Sequence, residues 1–257
     1  MRLTNPIEPA PRIRRRDRWT RGELLCFDLE TTGTDRFSDV PVSFALLSMR
    51  GGRVVERLVR LVDPARPIPG EATAVHGITT ERARRNGITL ESAVELVVDA
   101  LVDASRRGIP VVGVKLDFDL TIIDVLCRAA DGRGLPERGW TGPVLDALVL
   151  DRQIDPRRKG RRTLADLCAC YRVQLGAAHH ADCDAEAAAR VLLAMAKRHR
   201  PLARATPNSL HAGQVGYHRD WARSFDAWRR RSGLEPLDPS EECWPIAQAP
   251  RREVDVA

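Results

Sequence analysis

The 257-residue sequence lacks an apolar stretch long enough to cross a membrane, and no hydrophobic segment follows its arginine-rich start. A membrane-spanning helix needs about 20 mostly apolar residues, and a secretory signal needs an apolar region behind its positive charges. We therefore expect neither a membrane span nor a signal peptide, and no membrane among the partners of the protein.

Cysteine pairs at zinc-like spacing are also missing. The six cysteines are scattered, none of them forms a Cys-x-x-Cys pair, and several lie inside apolar runs. Cysteines in this setting behave as small hydrophobic residues rather than as zinc ligands. We expect reduced thiols and a cytoplasmic location.

Lysine is scarce among the basic residues. The chain has three lysines, Lys115, Lys159 and Lys197, although Lys and Arg number 41 against 35 acidic residues, a formal net charge of +6. This excess permits a polyanionic partner, but a high arginine content also follows from genomic base composition. The length and the 43% hydrophobic content predict one substantial α/β core with additional segments.

Strands and helices are predicted in a definite order. Three strands over residues 24–30, 42–49 and 53–62 come first, and the turn sequence Gly51-Gly52 joins the last two as a hairpin. We expect these three strands to be antiparallel.

Helical and strand patterns alternate after the hairpin. Apolar residues recur at helical spacing over residues 89–108, and residues 109–114 predict a short strand. A helix begins near Asp119, residues 144–150 fit either a strand or a helix, and residues 185–198 predict a strong amphipathic helix. This order indicates an α/β fold in which helices flank a mixed sheet.

Composition divides the chain into three parts. Residues 1–20, rich in proline and arginine, predict a basic flexible tail, residues 21–200 the main domain, and residues 201–257 a C-terminal extension. The extension is predicted to hold one helix over residues 209–232 and, after Gly233, an extended proline-rich tail.

The predicted helix of the extension carries aromatic residues on adjacent turns, with arginines around them. These aromatic residues are Tyr217, Trp221, Phe225 and Trp228. They could stack on the bases of single-stranded nucleic acid. The interpretation that we favour is that they pack against the main domain, because aromatic residues at helical spacing more often belong to a core.

Two carboxylates lie one position apart at the end of the first predicted strand, in Phe27-Asp28-Leu29-Glu30. Side chains alternate between the faces of a strand, so Asp28 and Glu30 point the same way. Two neighbouring anions repel each other, and a divalent cation commonly makes such an arrangement tolerable. The pair therefore predicts a metal site.

Further acidic residues lie where this site would need them. Asp119 lies at a strand-to-helix junction, and Asp184 lies at the start of a helix, five residues after His179. Ligands in α/β sheets gather outside the ends of the strands, so these residues could converge. Four carboxylates and one histidine make a complete set for two-metal hydrolysis of a phosphodiester.

At these residues the chain resembles a known family, the DnaQ-like or DEDDh 3′-to-5′ exonucleases, which include the proofreading subunit of bacterial replicative polymerases and ribonuclease T. The resemblance covers roughly residues 22–198 and rests on four motifs in the order of the family. The motifs are Phe27-Asp28-Leu29-Glu30-Thr31-Thr32-Gly33, Ala74-Val75-His76-Gly77-Ile78-Thr79, Phe118-Asp119, and His179 followed after four residues by Asp184-Ala185.

The resemblance implies an RNase H-like sheet and stepwise release of nucleoside monophosphates from a nucleic-acid 3′ end. It implies that Asp28 bridges two metal ions, that Glu30 and Asp184 hold the ion that activates water, and that Asp119 steadies the other. His179 would be the general base. By the same matching, the residues that border the 3′-terminal nucleotide are Thr31, Thr32, Val75 and His76.

Magnesium or manganese is the metal expected for this site. All the implied ligands are oxygen atoms, which suit hard cations, and no cysteine takes part.

Several neighbouring residues leave alternatives open. His180 directly follows His179, but only His179 has the four-residue gap of the family to Asp184. Asp182 is predicted to cap the following helix. For His76, a structural role in its loop and a contact with substrate are equally consistent with the sequence.

The chain departs from the family at Val114-Lys115, where many relatives carry His-Asn. Lys115 is predicted either to contact a substrate phosphate or to reach solvent, and Asp146 to have a structural role. A basic cluster is interpreted as a solvated loop, with contact to phosphates as the alternative. The cluster consists of Arg157, Arg158, Lys159, Arg161 and Arg162.

The main functional prediction is a metal-dependent 3′-5′ exonuclease that acts on the 3′ end of nucleic acid, with single-stranded DNA favoured over RNA. One alternative is an RNA-trimming enzyme of the ribonuclease T or oligoribonuclease kind. Another is a non-catalytic module that binds nucleic acid or a polymerase, against which the complete ligand set argues. The sequence carries no decisive motif for a polymerase or repair partner.

Overall fold

The computed structural model describes residues 18–248, so most of the predicted tail over residues 1–20 lies outside the described residues. The strands are β1 (Glu23–Thr31), β2 (Pro41–Arg50), β3 (Arg53–Asp63), β4 (Ile88–Thr89), β5 (Val111–Gly113) and β6 (Val144–Asp146). They form one sheet in the order β4-β3-β2-β1-β5-β6.

The pairing of the strands confirms the predicted mixed sheet. β1, β2 and β3 are antiparallel neighbours, whereas β5 runs parallel to β1, β6 parallel to β5, and β4 parallel to β3. The turn at Gly51-Gly52, where both residues have positive φ, closes the hairpin between β2 and β3. The central strand β1 thus has neighbours on both sides.

Helices cover both faces of this sheet. They are α1 (Gly70–His76), α2 (Thr80–Asn86), α3 (Leu90–Arg106), α4 (Leu116–Asp131), α5 (Ala147–Ile154), α6 (Leu164–Tyr171), α7 (Ala181–Arg198), α8 (Arg200–Arg204) and α9 (Pro207–Arg231). Within the described part of the chain, none of these helices is long and apolar enough to cross a membrane.

The alternating side chains of β1 enter two different cores. Leu24 and Cys26 pack in a cluster with α7, whereas Phe27 and Leu29 pack in the cluster formed with α3 and α4. Because the direction of side chains repeats every second residue in a strand, Asp28 continues the face that looks toward α7. The fold therefore directs the two acidic residues of β1 toward the helix that carries Asp184.

Element boundaries differ from the predictions at the starts of three helices. Residues 144–150 hold the short strand β6 and then the first residues of α5, since the Asp146 carboxylate accepts a hydrogen bond from the Leu148 amide at 2.8 Å. The helix predicted over 185–198 begins earlier, at Ala181. The helix predicted over 209–232 spans Pro207–Arg231, and Thr206 caps its start.

The end of the described chain is packed rather than extended, contrary to the prediction of an extended tail after Gly233. A 3-10 turn spans Pro239–Glu242, and the Trp244 side chain is 5% exposed within the core that contains α3 and α4. Its ring also lies 5.3 Å from the ring of His211 on α9. Burial of this large apolar side chain anchors the segment, which local composition alone does not reveal.

The aromatic residues of α9 lie mostly beside its buried face. The buried positions of the helix are Leu210, Gln214, His218 and Ala222. Tyr217 packs against the core, and the Arg152 guanidinium lies 3.3 Å from the centroid of the Trp221 ring. Trp221, Phe225 and Trp228 stack on one another with centroids 5.4 Å apart, and Trp228 is 48% exposed. The predicted packing thus applies to the first part of the aromatic stripe, while its end faces solvent.

Candidate active site

Three carboxylates that are far apart in the sequence meet at the end of β1. Oxygen atoms of Asp28, Glu30 and Asp184 all lie within 4.8 Å of one another. The first two project from β1 toward α7, and Asp184 lies in the first turn of that helix. The structure thereby brings together three of the four predicted metal ligands.

Asp119, the fourth predicted ligand, lies beside this group but outside the 4.8 Å cluster. It is in the first turn of α4 and is 4% exposed, and its Oδ1 accepts a hydrogen bond from the Leu29 amide at 3.2 Å. Its charge is the largest electrostatic contribution to the raised pKa of Asp28 after burial. Asp119 therefore belongs to the same electrostatic centre.

Burial and mutual repulsion raise the pKa values of these groups. Burial, followed by the charges of Asp119, Glu30 and Asp184, holds the pKa of Asp28 well above its usual range. Burial and the charge of Asp184 raise the pKa of Glu30 to about 7. Burial also raises the pKa values of Asp119 and Asp184. Carboxylates at such short distances are poorly compensated by protein cations, which is the situation that a divalent ion relieves.

The donor atoms of the cluster fit a hard divalent cation. The Asp184 Oδ1 atom is buried and has no hydrogen-bond partner within residues 18–248. Buried polar atoms without a partner are rare and call for an explanation, such as an ion. Every donor in the cluster is a carboxylate oxygen, which suits Mg²⁺ or Mn²⁺ better than zinc.

His179 lies at the edge of the carboxylate cluster. It is exposed and has a left-handed backbone with φ of 61°, and its amide donates a hydrogen bond to Asp184 Oδ2 at 3.1 Å. A non-glycine residue in this conformation is unusual and often marks a functional segment. The bond ties the loop that carries the histidine to a predicted metal ligand.

The neighbours of His179 have other roles. His180 is the residue that precedes the first turn of α7, and its side chain makes no capping hydrogen bond. The prediction that Asp182 caps this helix is wrong, because Asp182 lies within the first turn, and its carboxylate pairs with Arg57 of β3. That ion pair joins the start of α7 to the sheet.

The residues predicted to contact substrate surround the same edge of the sheet. Thr31 Oγ1 donates to the Gly33 carbonyl at 2.7 Å, and Thr32 Oγ1 donates to Asp39 at 2.6 Å, so both hydroxyls brace the loop after β1. Val75 is 55% exposed and lies in α1. Their contact with a nucleotide stays a prediction.

His76 is buried and holds its own loop. Its Nδ1 accepts a hydrogen bond from the Ile78 amide at 3.1 Å. Burial lowers its pKa, an effect that the Thr31 backbone partly offsets and the charge of His179 reinforces. His76 thus has the structural role in its loop. Because it also lies near His179, its contact with substrate stays a prediction.

Two other residues, Asp146 and Lys115, lie near the site. Asp146 is fully buried, and its Oδ2 accepts a hydrogen bond from the Leu116 amide at 2.8 Å, which agrees with the predicted structural role. Lys115 is exposed with its ammonium 5.1 Å from the centroid of the Phe118 ring. It lies close enough to Asp119 to oppose the rise in the pKa of that carboxyl.

The basic cluster over residues 157–162 is partly structural. Arg158 and Arg162 both form ion pairs with Asp151, which is fully buried and also accepts a hydrogen bond from the Tyr171 hydroxyl. A buried carboxylate needs such partners. These two arginines are therefore committed to the fold, whereas Arg157 stays exposed.

An ion-pair network that the sequence did not reveal lies next to Asp119. The Arg36 guanidinium bridges Asp117 of α4 and Glu241 of the C-terminal segment, at 2.8 Å to each carboxylate. Arg36 is 7% exposed and Asp117 4% exposed. No local pattern signals this network, because Arg36 and Glu241 are separated by 205 positions.

Comparison with known proteins connects this site to nucleases. The exonuclease family model of ribonuclease T type matches residues 25–192. The chain is 30% identical over 175 residues to a PolC-type DNA polymerase III of Lacticaseibacillus paracasei and 30% identical over 176 residues to that of Bacillus subtilis. These alignments cover 68% and 67% of the chain but 11% of each relative, so the chain spans about a tenth of their length.

Solved structures show the same fold. Escherichia coli exonuclease I in complex with a dT13 oligonucleotide matches 70% of the chain and 42% of that protein, with a TM-score of 0.57 and 20% identity. Exonuclease I of Methylocaldum szegediense matches 81% of the chain and 45% of that protein, with a TM-score of 0.58 and 22% identity. The RNase H-like sheet expected from the sequence motifs is thereby confirmed.

Proposed function

Because this chain belongs to the exonuclease family, we propose that it hydrolyses the 3′-terminal phosphodiester bond of single-stranded DNA and releases nucleoside 5′-monophosphates stepwise. The observation that carries this proposal is the cluster of Asp28, Glu30 and Asp184 oxygens within 4.8 Å, with Asp119 beside it. An all-carboxylate cluster at the edge of a sheet is suited to phosphodiester hydrolysis with divalent cations.

We propose that Asp28, Glu30, Asp119 and Asp184 would hold two Mg²⁺ or Mn²⁺ ions. When bound, the ions would supply positive charge at the scissile phosphate and lower the pKa of a water molecule. The raised pKa values of the four carboxyl groups support this assignment. A carboxyl group with a raised pKa holds its proton more tightly, and it releases that proton when it takes up a cation.

His179 is proposed as the general base. Its exposed side chain extends from the loop that is tied to Asp184, so the imidazole can approach a water molecule at the edge of the cluster. Histidine is the side chain that most often serves as a general base in catalysis. His76, which is buried beside the same loop, is less accessible for this role.

The 3′-terminal nucleotide is proposed to lie between the loop after β1 and α1. Val75 offers an exposed apolar surface to a base or sugar, and Thr31, Thr32 and His76 shape the wall next to it. The preference for single-stranded DNA is supported by the structural likeness to exonuclease I, whose structures include complexes with dT13 and dA16 oligonucleotides.

Free thiols at all six cysteines are consistent with the proposed cytoplasmic location.

A labelled oligonucleotide tests this function. With Mg²⁺, the protein should shorten a 5′-labelled single strand from its 3′ end, and Asp28→Asn should abolish this without unfolding the protein. Asp99→Asn is the matched control, because Asp99 is exposed on α3 and is not part of the carboxylate cluster. Degradation from the 5′ end, or activity that survives Asp28→Asn, would contradict the proposal.

The same assay tests the choice of substrate. Single-stranded DNA, duplex DNA and RNA of one sequence should be degraded in parallel reactions, with the single-stranded DNA consumed fastest. Faster loss of RNA would favour the RNA-trimming alternative. Binding without degradation of any of them would favour the non-catalytic alternative.

A further inference from the structure

A strongly basic cavity lies at the end of the sheet opposite the carboxylate cluster. It has a volume of about 510 Å³ and is formed by the hairpin turn at Gly51-Gly52, the end of α7 and α8. Five cationic residues line it: Arg18, Arg21, Lys197, Arg200 and Arg204. Among the described residues, no acidic side chain lines this cavity.

The cations of this cavity lack acidic partners among residues 18–248. Over residues 18–248, none of the five forms an ion pair, in contrast to Arg57 and Arg190, which pair with acids nearby. The Arg18 Nε atom is buried and has no hydrogen-bond partner in this part of the chain. Five like charges around one cavity repel each other, and a polyanion would relieve that repulsion.

The basic cavity joins a second cavity that extends toward the start of α7, the helix whose first turn holds Asp184. This second cavity of about 1200 Å³ shares Gly51, Gly52, Leu193 and Lys197 with the basic cavity and extends along α7 to Gly176 and Cys183. Cys183 directly precedes Asp184 in the chain. Both cavities border α7, whose 18 residues span about 27 Å.

We propose that the two cavities form one track for the phosphodiester backbone of the substrate strand, and that the basic cavity binds phosphates several nucleotides upstream of the 3′ end. This inference rests on the proposed function. A strand stacked as in a duplex, with one phosphate per ~3.4 Å, would place about eight phosphates along the length of α7.

The lining of the basic cavity favours a strand over a free nucleotide. None of the residues that line it is aromatic, so the cavity offers no ring on which a base could stack. Exposed arginine and lysine side chains bind phosphates without sequence preference, and their contribution depends on salt. The basic cavity is thus suited to bind the backbone phosphates of a strand.

The test compares two pairs of substitutions that each remove two positive charges. Arg200→Gln with Arg204→Gln changes the basic cavity. Arg84→Gln with Arg85→Gln is the control, because both residues are exposed on α2, form no ion pair with the described residues and line neither cavity. Both pairs are made in the Asp28→Asn background for binding and in the wild-type background for activity.

Binding is measured by fluorescence anisotropy with a labelled single strand of about 16 nucleotides, the upper end of common single-strand site sizes. The cavity variant should bind about tenfold more weakly, with a salt slope shallower by about 1.4, while the control matches the parent. Cleavage of a dinucleotide should be equal in all three proteins. Equal binding of the cavity variant and the control, or an equal loss on the dinucleotide, would overturn the proposal.

One further measurement separates the remaining outcomes. Tripolyphosphate is added as a competitor; if it binds to the cavity while the substitutions leave strand binding unchanged, the cavity is a site for small anions and the proposal is overturned. Failure of the proposed function would give a different result. The wild-type protein would then degrade no oligonucleotide, while the substitutions in the basic cavity would still weaken strand binding.

Discussion

The backbone amide of Leu29 donates a hydrogen bond of 3.2 Å to the Asp119 carboxylate, across 90 positions of sequence. This bond joins the central strand to the first turn of α4, so the position of Asp119 relative to Asp28 is set by a direct contact. A carboxylate that also accepts a backbone hydrogen bond has less freedom to rotate. The geometry of the candidate metal centre therefore depends on the fold on both sides of β1.

Asp119→Asn should remove the negative charge of this side chain and keep its hydrogen bond with Leu29. The amide oxygen can still accept the hydrogen bond from Leu29, while the negative charge that raises the pKa of Asp28 is lost. We expect activity to fall by at least ~100-fold and the metal-free protein to be as stable as the wild type or more stable. Exonuclease rates and urea unfolding measure the two effects. Full activity in the variant would show that Asp119 does not take part in the active site.

His179→Ala and His180→Ala form a matched pair for the general base. Both histidines are exposed and adjacent; the His179 amide donates to the Asp184 carboxylate, whereas the His180 carbonyl accepts from the Asp184 amide. His179→Ala should lower kcat by about 10²- to 10⁴-fold with little change in KM. His180→Ala should retain most activity. The reverse result would assign the base to His180.

The stability of the metal-free protein should fall as the pH rises from about 4.5 toward about 7. Glu30 has a folded-state pKa of about 7 against a usual value of 4.5, so the folded state binds the proton more tightly than the unfolded state. Ionisation over this interval therefore costs folding free energy. The raised pKa values of Asp28 and Asp119 act in the same direction.

Magnesium should reverse this trend. Thermal unfolding with EDTA and with Mg²⁺ should differ more at about pH 8 than at about pH 5, because a cation binds the ionised carboxylates. An equal shift in Tm at both pH values would contradict a carboxylate metal centre at Asp28, Glu30 and Asp184.

Arg36→Ala should be strongly destabilising. It leaves Asp117, 4% exposed and two residues before Asp119, without the guanidinium that neutralises it. Removing one partner of a buried ion pair costs about 3–5 kcal/mol. Glu241→Gln is the comparison, since the Glu241 side chain is 31% exposed and its loss should cost less than about 1 kcal/mol. Urea unfolding measures both, and equal costs would argue against a buried role for Arg36.

Local sequence was sufficient for the parts of the site that depend on short-range geometry. The alternation of β1 places Asp28 and Glu30 on one face, as predicted, because side-chain direction in a strand repeats every two residues. The antiparallel hairpin of β2 and β3 was predicted from its strand composition and its glycine turn. The family motifs also identified the α/β exonuclease fold.

Tertiary structure decided the contacts between residues that are distant in the chain. The pairing of Asp182 with Arg57, the bridge from Arg36 to Glu241 and the burial of Trp244 each join segments with no shared periodicity. The basic cavity likewise collects residues from the start of the described chain, from a hairpin turn and from two helices. Periodicity reports which face of one element is buried, whereas these contacts exist only once the packed elements bring distant side chains together.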